Sequence, residues 1–266
     1  MTRKRPTVQD VRANKGKRQY TMMRVESWDE LAAAEAAGID MVSVPAELMT
    51  DKRFRDVAPT LFAVPGMALY SAPAATDDYL RWAFRMMEAG ADAVYCAASF
   101  QTVERMTAEN IPVIGHVGLI PHFCTWTGGF KAVGKTAESA MQIYERCKRY
   151  EQAGAFGVEI EVVPPEVTAE IAKHTSLFLV SMGGGVGGDC QYLFACDVLG
   201  TNTGHVPRHS KKYADLAAEY ARIQQIRINA FKAFVKDVET GGYPSERYLV
   251  KAPPSEMTAF RARLKG

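Results

Sequence analysis

The chain has 266 residues, 47% of them apolar, 23% charged and 10% aromatic, the profile of a globular protein long enough for one α/β barrel or two smaller domains. Lys+Arg 32 against Asp+Glu 30 leaves almost no net charge, so neither composition nor charge points to a nucleic-acid partner. No uncharged run approaches the roughly 18–20 apolar residues of a membrane span, which argues against a membrane partner, and five cysteines without framework spacing suggest a reducing, cytoplasmic setting.

The basic start, Met1 to Arg18, lacks the apolar core of a signal peptide. Thr7 with Asp10 three residues on predicts a short capped helix there, with a basic contact arm as the other reading. A β-rich run, Gln19–Val25, comes next, and Ser27 with Glu30 forms a capping box for a helix over 27–37 that turns Leu31 and Ala34 inward. Strands are predicted at Met41–Val44 and Leu61–Val64. Thr76 caps a helix over 77–89 whose stripe is Leu80, Ala83, Phe84 and Met87. Strands Ala93–Cys96 and Pro112–His116 follow. Thr136 caps the helix 137–153, which buries Ala140, Ile143, Tyr144, Cys147 and Tyr150. The last predicted strands are Gly157–Val162, Leu177–Ser181 and an eighth within Gln191–Cys196.

Three of the helices end in Ala-Gly before an apolar strand, at Gly38, Gly90 and Gly154. Glycine just past a helix end supplies the left-handed residue that turns the chain into the next strand. Strands alternating with helices over this length predict a closed parallel (β/α)8 TIM barrel spanning the whole chain, 1–266, as one α/β domain. A C-terminal helical extension occupies about 205–266. Within it, Ser210–Glu239 reads as one long helix with Tyr213, Leu216, Tyr220, Ile223, Phe231 and Phe234 on a stripe, stopped by Gly241-Gly242. That stripe suits either the barrel wall or a neighbouring subunit.

In a barrel, chemistry sits at the C-terminal ends of the strands. Those ends carry Glu47, Tyr95 and Cys96, His116, Glu161, and the glycine run that opens with Gly183 and Gly184. Alternation puts Glu159 and Glu161 on one face of their strand. A carboxylate in an apolar strand is costly to bury without a partner or a task, so Glu161 reads as a general acid/base or as half of a structural ion pair. His116 ends an apolar strand and reads as catalytic, ligand-binding or structural. The run Gly183–Gly188 lacks the spacing of a phosphate loop. Cys96 reads mainly as a small buried apolar side chain, with nucleophilic work as the alternative. No zinc-binding spacing is present.

Several segments resemble the ketopantoate hydroxymethyltransferases (3-methyl-2-oxobutanoate hydroxymethyltransferases). Among them are Pro6–Arg12, Ala37–Met41, Gly115–Pro121, Gly128–Thr136, Glu161–Glu166, Asp189–Gln191, Asp197–Gly200 and Lys212–Leu216. The resemblance implies a homo-oligomeric (β/α)8 enzyme that adds a one-carbon unit from methylenetetrahydrofolate to a 2-oxo acid held by magnesium. It identifies His116 and Glu161 with the family's active-site histidine and glutamate base. It also puts Ala46 and Val64 where the family has metal-binding aspartates, Glu47 where it has a serine, and Tyr95-Cys96-Ala97 where it has Lys-x-Glu. Removing those carboxylates removes the charge that offsets magnesium dehydration, so no metal site is expected unless Glu47 substitutes. The expected function is aldol- or lyase-type C–C chemistry on a small 2-oxo acid or related carbonyl compound, with Glu161 and His116 catalytic. Glu47, Tyr95, Cys96, Gly183 and Gly184 are the expected substrate-binding positions. Two alternatives stand beside it: the family's own reaction with a rebuilt metal site, and a non-catalytic binder.

Overall fold

The computed structural model describes residues 3–66 and 75–265. The chain divides into two compact units, one ending at Ala214 and one beginning at Asp215. The first unit is an eight-stranded parallel sheet made of β1 (Tyr20–Arg24), β2 (Met41–Val44), β3 (Phe62–Pro65), β4 (Val94–Tyr95), β5 (Val113–Gly118), β6 (Gly157–Glu161), β7 (Phe178–Met182) and β8 (Cys190–Phe194). The strands lie in the order β3-β2-β1-β8-β7-β6-β5-β4, so β1 pairs on both sides, with β2 and with β8. Among the described residues, the seam between β3 and β4 is the one without strand pairing. Asp92 stitches it: its main-chain N–H donates to the Ala63 carbonyl at 3.0 Å, and its carboxylate accepts the Ala63 N–H at 2.8 Å. Arg55 donates to the same carboxylate oxygen at 2.8 Å. The predicted (β/α)8 barrel is therefore the fold.

Alternation along the strands creates two cores. Tyr20, Met22, Met41, Phe62, Val64, Ala93, Ile114, Phe178, Val180, Cys190 and Tyr192 fill the barrel interior, and Val11 from the N-terminal helix Val8–Ala13 is buried with them. The basic start is thus anchored, with Thr7 and Asp10 capping each other's backbone. A second core lies between the sheet and the helices, where Leu31, Ala34, Ala83, Met86, Ile143, Cys147 and Tyr150 pack against Val42, Val113, Val158 and Leu179. Gly38, Gly90 and Gly154 have φ of 82°, 94° and 82°, the left-handed turns expected after Ala-Gly.

Close packing leaves β5 no room for a side chain at Gly115. A Cβ there would fall inside the Tyr150 ring, and Tyr150 is fully buried. Overpacking of this kind costs about 1–3 kcal/mol. Gly115→Ala is accordingly expected to lower unfolding stability by that amount in a urea melt, whereas an unchanged midpoint would show that the Tyr150 ring moves aside freely.

Some local expectations are displaced. The helix Thr76–Glu88 has Ala75 as its N-cap, and the Thr76 hydroxyl instead meets the Thr102 hydroxyl at 2.9 Å. That helix buries Ala83 and Met86 while Phe84 stays half exposed. Ser27 accepts from the Glu30 N–H as predicted, but the Glu30 carboxylate takes the Glu26 N–H, one residue before the cap. Between β7 and β8 there is no helix. Residues 183–189 run back as a strap, and any side chain at Gly187 would collide with Ala169 of the helix Pro165–Lys173. The glycines of this run are needed for close approach, and Asp189 locks its end by accepting from Gly16 N–H, Leu179 N–H and Lys15 Nζ.

The second unit contains a long helix, Leu216–Thr240, and a shorter one, Pro254–Arg263. The long helix starts at an Asp215 cap, six residues later than periodicity suggests, and ends at Gly241 with φ 76°. None of its residues is buried, and Tyr220, Phe231 and Phe234 are each more than half exposed.

Candidate active site

The barrel mouth opens into a cavity of about 500 Å³ at the C-terminal ends of the strands. Because alternate residues point inward, every strand but β3 delivers one or two side chains to it. Arg24 comes from β1, Ser43 from β2, Tyr95 from β4, His116 from β5, Glu159 and Glu161 from β6, Met182 from β7, and Tyr192 and Phe194 from β8. Asp197, Pro207, His209 and Ser210, from the segment after β8, form the far wall. Asp197 is buried and holds that segment by accepting from Ser210 Oγ at 2.8 Å and Asn202 Nδ2 at 2.6 Å.

His116 is the hub. Its ring is almost fully buried and has oxygens at both nitrogens. The Tyr95 hydroxyl lies 2.7 Å from Nδ1, and Glu159 Oε2 lies 3.7 Å from the same atom. Glu161 Oε2 lies 3.0 Å from Nε2, close but not aligned as a hydrogen bond. Burial holds the Tyr95 phenol well above its ordinary pKa, with the Glu159 charge adding to the shift. The phenol therefore stays protonated; when it donates to Nδ1, Nε2 carries the ring proton on the Glu161 side.

The two glutamates differ in environment. Burial pushes the Glu159 carboxyl up to about 7, opposed by His116 and Arg24 and reinforced by Glu161. Glu161 stands nearer the cavity, its side chain 14% exposed against 7% for Glu159. Two carboxyl groups in unlike surroundings, on either side of one imidazole, can divide acid and base work between them. The residue after Glu161, Val162, has φ 49°, a conformation costly for a β-branched side chain. Its N–H donates to the Met182 carbonyl at 2.8 Å and its carbonyl accepts the Val133 N–H at 3.2 Å. Those two bonds fix the strand end that aims Glu161.

Arg24 enters from the opposite wall. Its Nε donates to Glu26 Oε1 at 2.6 Å and its Nη1 to Ser43 Oγ at 3.2 Å. The strand register pairs Arg24 with Ser43 and Ser43 with Val64, so the three share one inward-facing row.

The structure thus brings together Glu161, His116 and Tyr95. Gly183 is exposed and abuts the His209 ring, whereas Gly184 is buried with its N–H given to Ser181 Oγ at 3.1 Å. Glu47 lies exposed in the short helix Ala46–Met49 and does not line the cavity. Cys96 is buried outside the cavity lining, and desolvation pushes its thiol up to about 11, which disfavours the thiolate. Sequence reasoning passed over Arg24, Ser43, Tyr192, Asp197 and His209, and set Glu159 beside Glu161 without giving it a task. An arginine closing an otherwise apolar strand was the available signal for Arg24.

Among the described residues, no group of three or more His, Cys, Asp or Glu side chains is placed to hold a metal ion. The positions that the family resemblance assigns to magnesium-binding aspartates bring Ala46, which carries no donor, and Val64, which is fully buried and apolar. Arg24 lies in the same inward row as Val64. Neither Ala46 nor Val64 supplies the oxygen ligand of negative charge that a magnesium ion needs.

Comparison with known proteins agrees with the architecture. The family model for ketopantoate hydroxymethyltransferase matches residues 49–246. A 3-methyl-2-oxobutanoate hydroxymethyltransferase of Thermotoga neapolitana is 30% identical over 264 residues, covering 91% of this chain and 95% of its own. The enzyme of the same name from Pseudothermotoga lettingae is 35% identical over 199 residues, covering 73% of this chain and 72% of its own. Among solved structures, 2,3-dimethylmalate lyase, a PEP mutase/isocitrate lyase superfamily member, superposes with a TM-score of 0.53 at 11% identity, covering 98% of this chain and 100% of that one. That likeness concerns the fold alone.

Proposed function

The chain belongs to the ketopantoate hydroxymethyltransferase family, and from that premise we propose that it acts on a small 2-oxo acid by aldol- or lyase-type C–C chemistry, with Glu161 as base and without a magnesium ion. The observation that carries the reading is His116 held between two carboxylates and a buried phenol at the barrel mouth. Glu161 takes the proton from the carbon next to the carbonyl. The C–H electron pair becomes the C2–C3 double bond, and charge moves onto the carbonyl oxygen. His116, with the Tyr95 hydroxyl behind its ring, flanks Glu161 on that side of the cavity. The enolate carbon then attacks an electrophilic carbon, or, in reverse, the C–C bond breaks to release it.

A homo-oligomeric assembly is part of the same proposal and rests on family membership. So does a cytoplasmic setting, which the five free cysteines support. Among the described residues, no helix is long and apolar enough to cross a membrane.

The test follows the C3–H of 3-methyl-2-oxobutanoate by proton NMR in D2O with EDTA present. Protein-dependent loss of that signal is the expected result. Absence of exchange with this and other small 2-oxo acids would reject the base assignment and favour a non-catalytic binder. Relatives at 30–35% identity also favour the family's own reaction. Exchange that appears only with added magnesium, together with product from methylenetetrahydrofolate, would establish that second reading instead.

A further inference from the structure

We propose that Arg24 is the fixed cation of this cavity, receiving the carboxylate and the adjoining carbonyl oxygen of the 2-oxo acid where a divalent ion would otherwise be required; the inference rests on the function proposed above. Three observations carry it. First, Arg24 shares an inward row with Ser43 and Val64 through the β1-β2-β3 register, and Val64 is the position at which the family resemblance calls for a metal-binding aspartate. Positive charge has entered the row as the expected negative charge has left it.

Second, the side chain is held but not used up. Nε is fixed by Glu26 and Nη1 by Ser43, while the Nη2 donors reach no hydrogen-bond partner among the described residues. The Arg24 side chain is 17% exposed and its partner Glu26 59%. The ion pair is therefore anchored on the rim side, and among the described residues nothing takes up the Nη2 N–H groups that a ligand would use. A guanidinium edge presents two parallel N–H bonds that match two oxygens of a carboxylate, or the paired oxygens of a 2-oxo acid, in one plane.

Third, the opposite wall is built for the other end of such a molecule. The acidic and imidazole groups lie on β5 and β6, across the cavity from β1 and β2. An acid whose carboxylate is clamped at Arg24 therefore extends its C3–H toward Glu161. The charge of Arg24 already reaches across this space to Glu159, whose carboxyl it lowers against the larger effect of burial. In this arrangement Arg24 binds and orients, and it stabilises charge on the carbonyl oxygen without itself losing a proton.

The experiment is calorimetric titration of the full-length protein, stripped with EDTA, with oxalate and with 3-methyl-2-oxobutanoate. Wild type is expected to bind both without magnesium, and added magnesium chloride is expected not to tighten binding. Arg24→Met should weaken both at least tenfold and abolish the preference for 3-methyl-2-oxobutanoate over its uncharged methyl ester. Arg24→Lys, which keeps the charge but not the fork, should fall between, and it carries the test if the methionine variant does not fold. Equal binding by wild type and variants would overturn the role of Arg24 while leaving the proposed function standing. Binding by wild type that requires magnesium would overturn it too. Failure of wild type to bind any oxo acid, with or without magnesium, would remove the proposed function and this inference together.

Discussion

Glu161→Gln is expected to slow C3–H exchange of 3-methyl-2-oxobutanoate by about 10²–10⁴-fold, the range general-base catalysis contributes, with the thermal melt and the affinity for oxalate little changed. The amide keeps the volume and the planar shape of the carboxylate but cannot take a proton. Two features select Glu161 over Glu159 as the base. Glu159 is the more buried and is pushed up to about 7, so near neutrality it still holds its proton about half of the time, whereas Glu161 faces the cavity. The strained backbone at Val162, pinned by Met182 and Val133, then holds the Glu161 carboxylate in place, a conformational cost of about 1–3 kcal/mol. Undiminished exchange by the glutamine variant would sink the assignment. A loss that appears instead in Glu159→Gln would transfer the role to the inner carboxylate.

The barrel was legible because its signals are local. Apolar runs of four to seven residues, three of them entered through Ala-Gly, mark buried parallel strands, and the observed strands fall on them within about two residues. Where local preference met a tertiary competitor, the competitor won. Thr76 was a good cap by type, yet its hydroxyl is taken up by Thr102. The long helix could have begun near Ser210, but Ser210 Oγ is drawn to Asp197 at the cavity wall, and the chain becomes helical only after Asp215. On the helix over 77–89, Leu80, Ala83 and Met87 of the expected stripe pack against the core, while Phe84 turns outward and Met86 fills the space against the sheet instead.

The site was half legible for a similar reason. Glu161 and Tyr95 terminate strands and His116 lies two residues before the end of its own, and strand ends in a barrel face the mouth. Glu47 also follows a strand, but the chain turns at once into a short helix that points the side chain to solvent. Asp197 and His209 lie in a segment with no periodicity, and only the three-dimensional path brings them to the cavity. Arg24 carried a readable signal, a charge in an inward register between Met22 and the mouth. Its significance depends on Ser43 and Val64 beside it, a relation across strands that no run of sequence displays.

Glu159→Gln is the counterpart, and its effect should appear in stability rather than in turnover alone. Below about pH 4.5 the Glu159 carboxyl is protonated in the folded and the unfolded chain alike, so the substitution should change little. Between about 4.5 and about 7 the unfolded chain has released this proton while the folded chain still holds it. The folded state then binds more protons, so wild-type stability falls as pH rises through that window and levels off above it. The raised pKa corresponds to about 3 kcal/mol at most, the cost of ionising a carboxyl in the buried interior beside Glu161, partly offset by His116 and Arg24. The amide that replaces the carboxyl in the variant stays neutral at every pH and escapes this loss. The variant should therefore match wild type in urea melts near pH 4.5 and exceed it increasingly up to about pH 8. Parallel stability curves across that range would mean that Glu159 ionises as easily in the barrel as in water, and the division of labour between the two carboxylates would then lose its electrostatic basis.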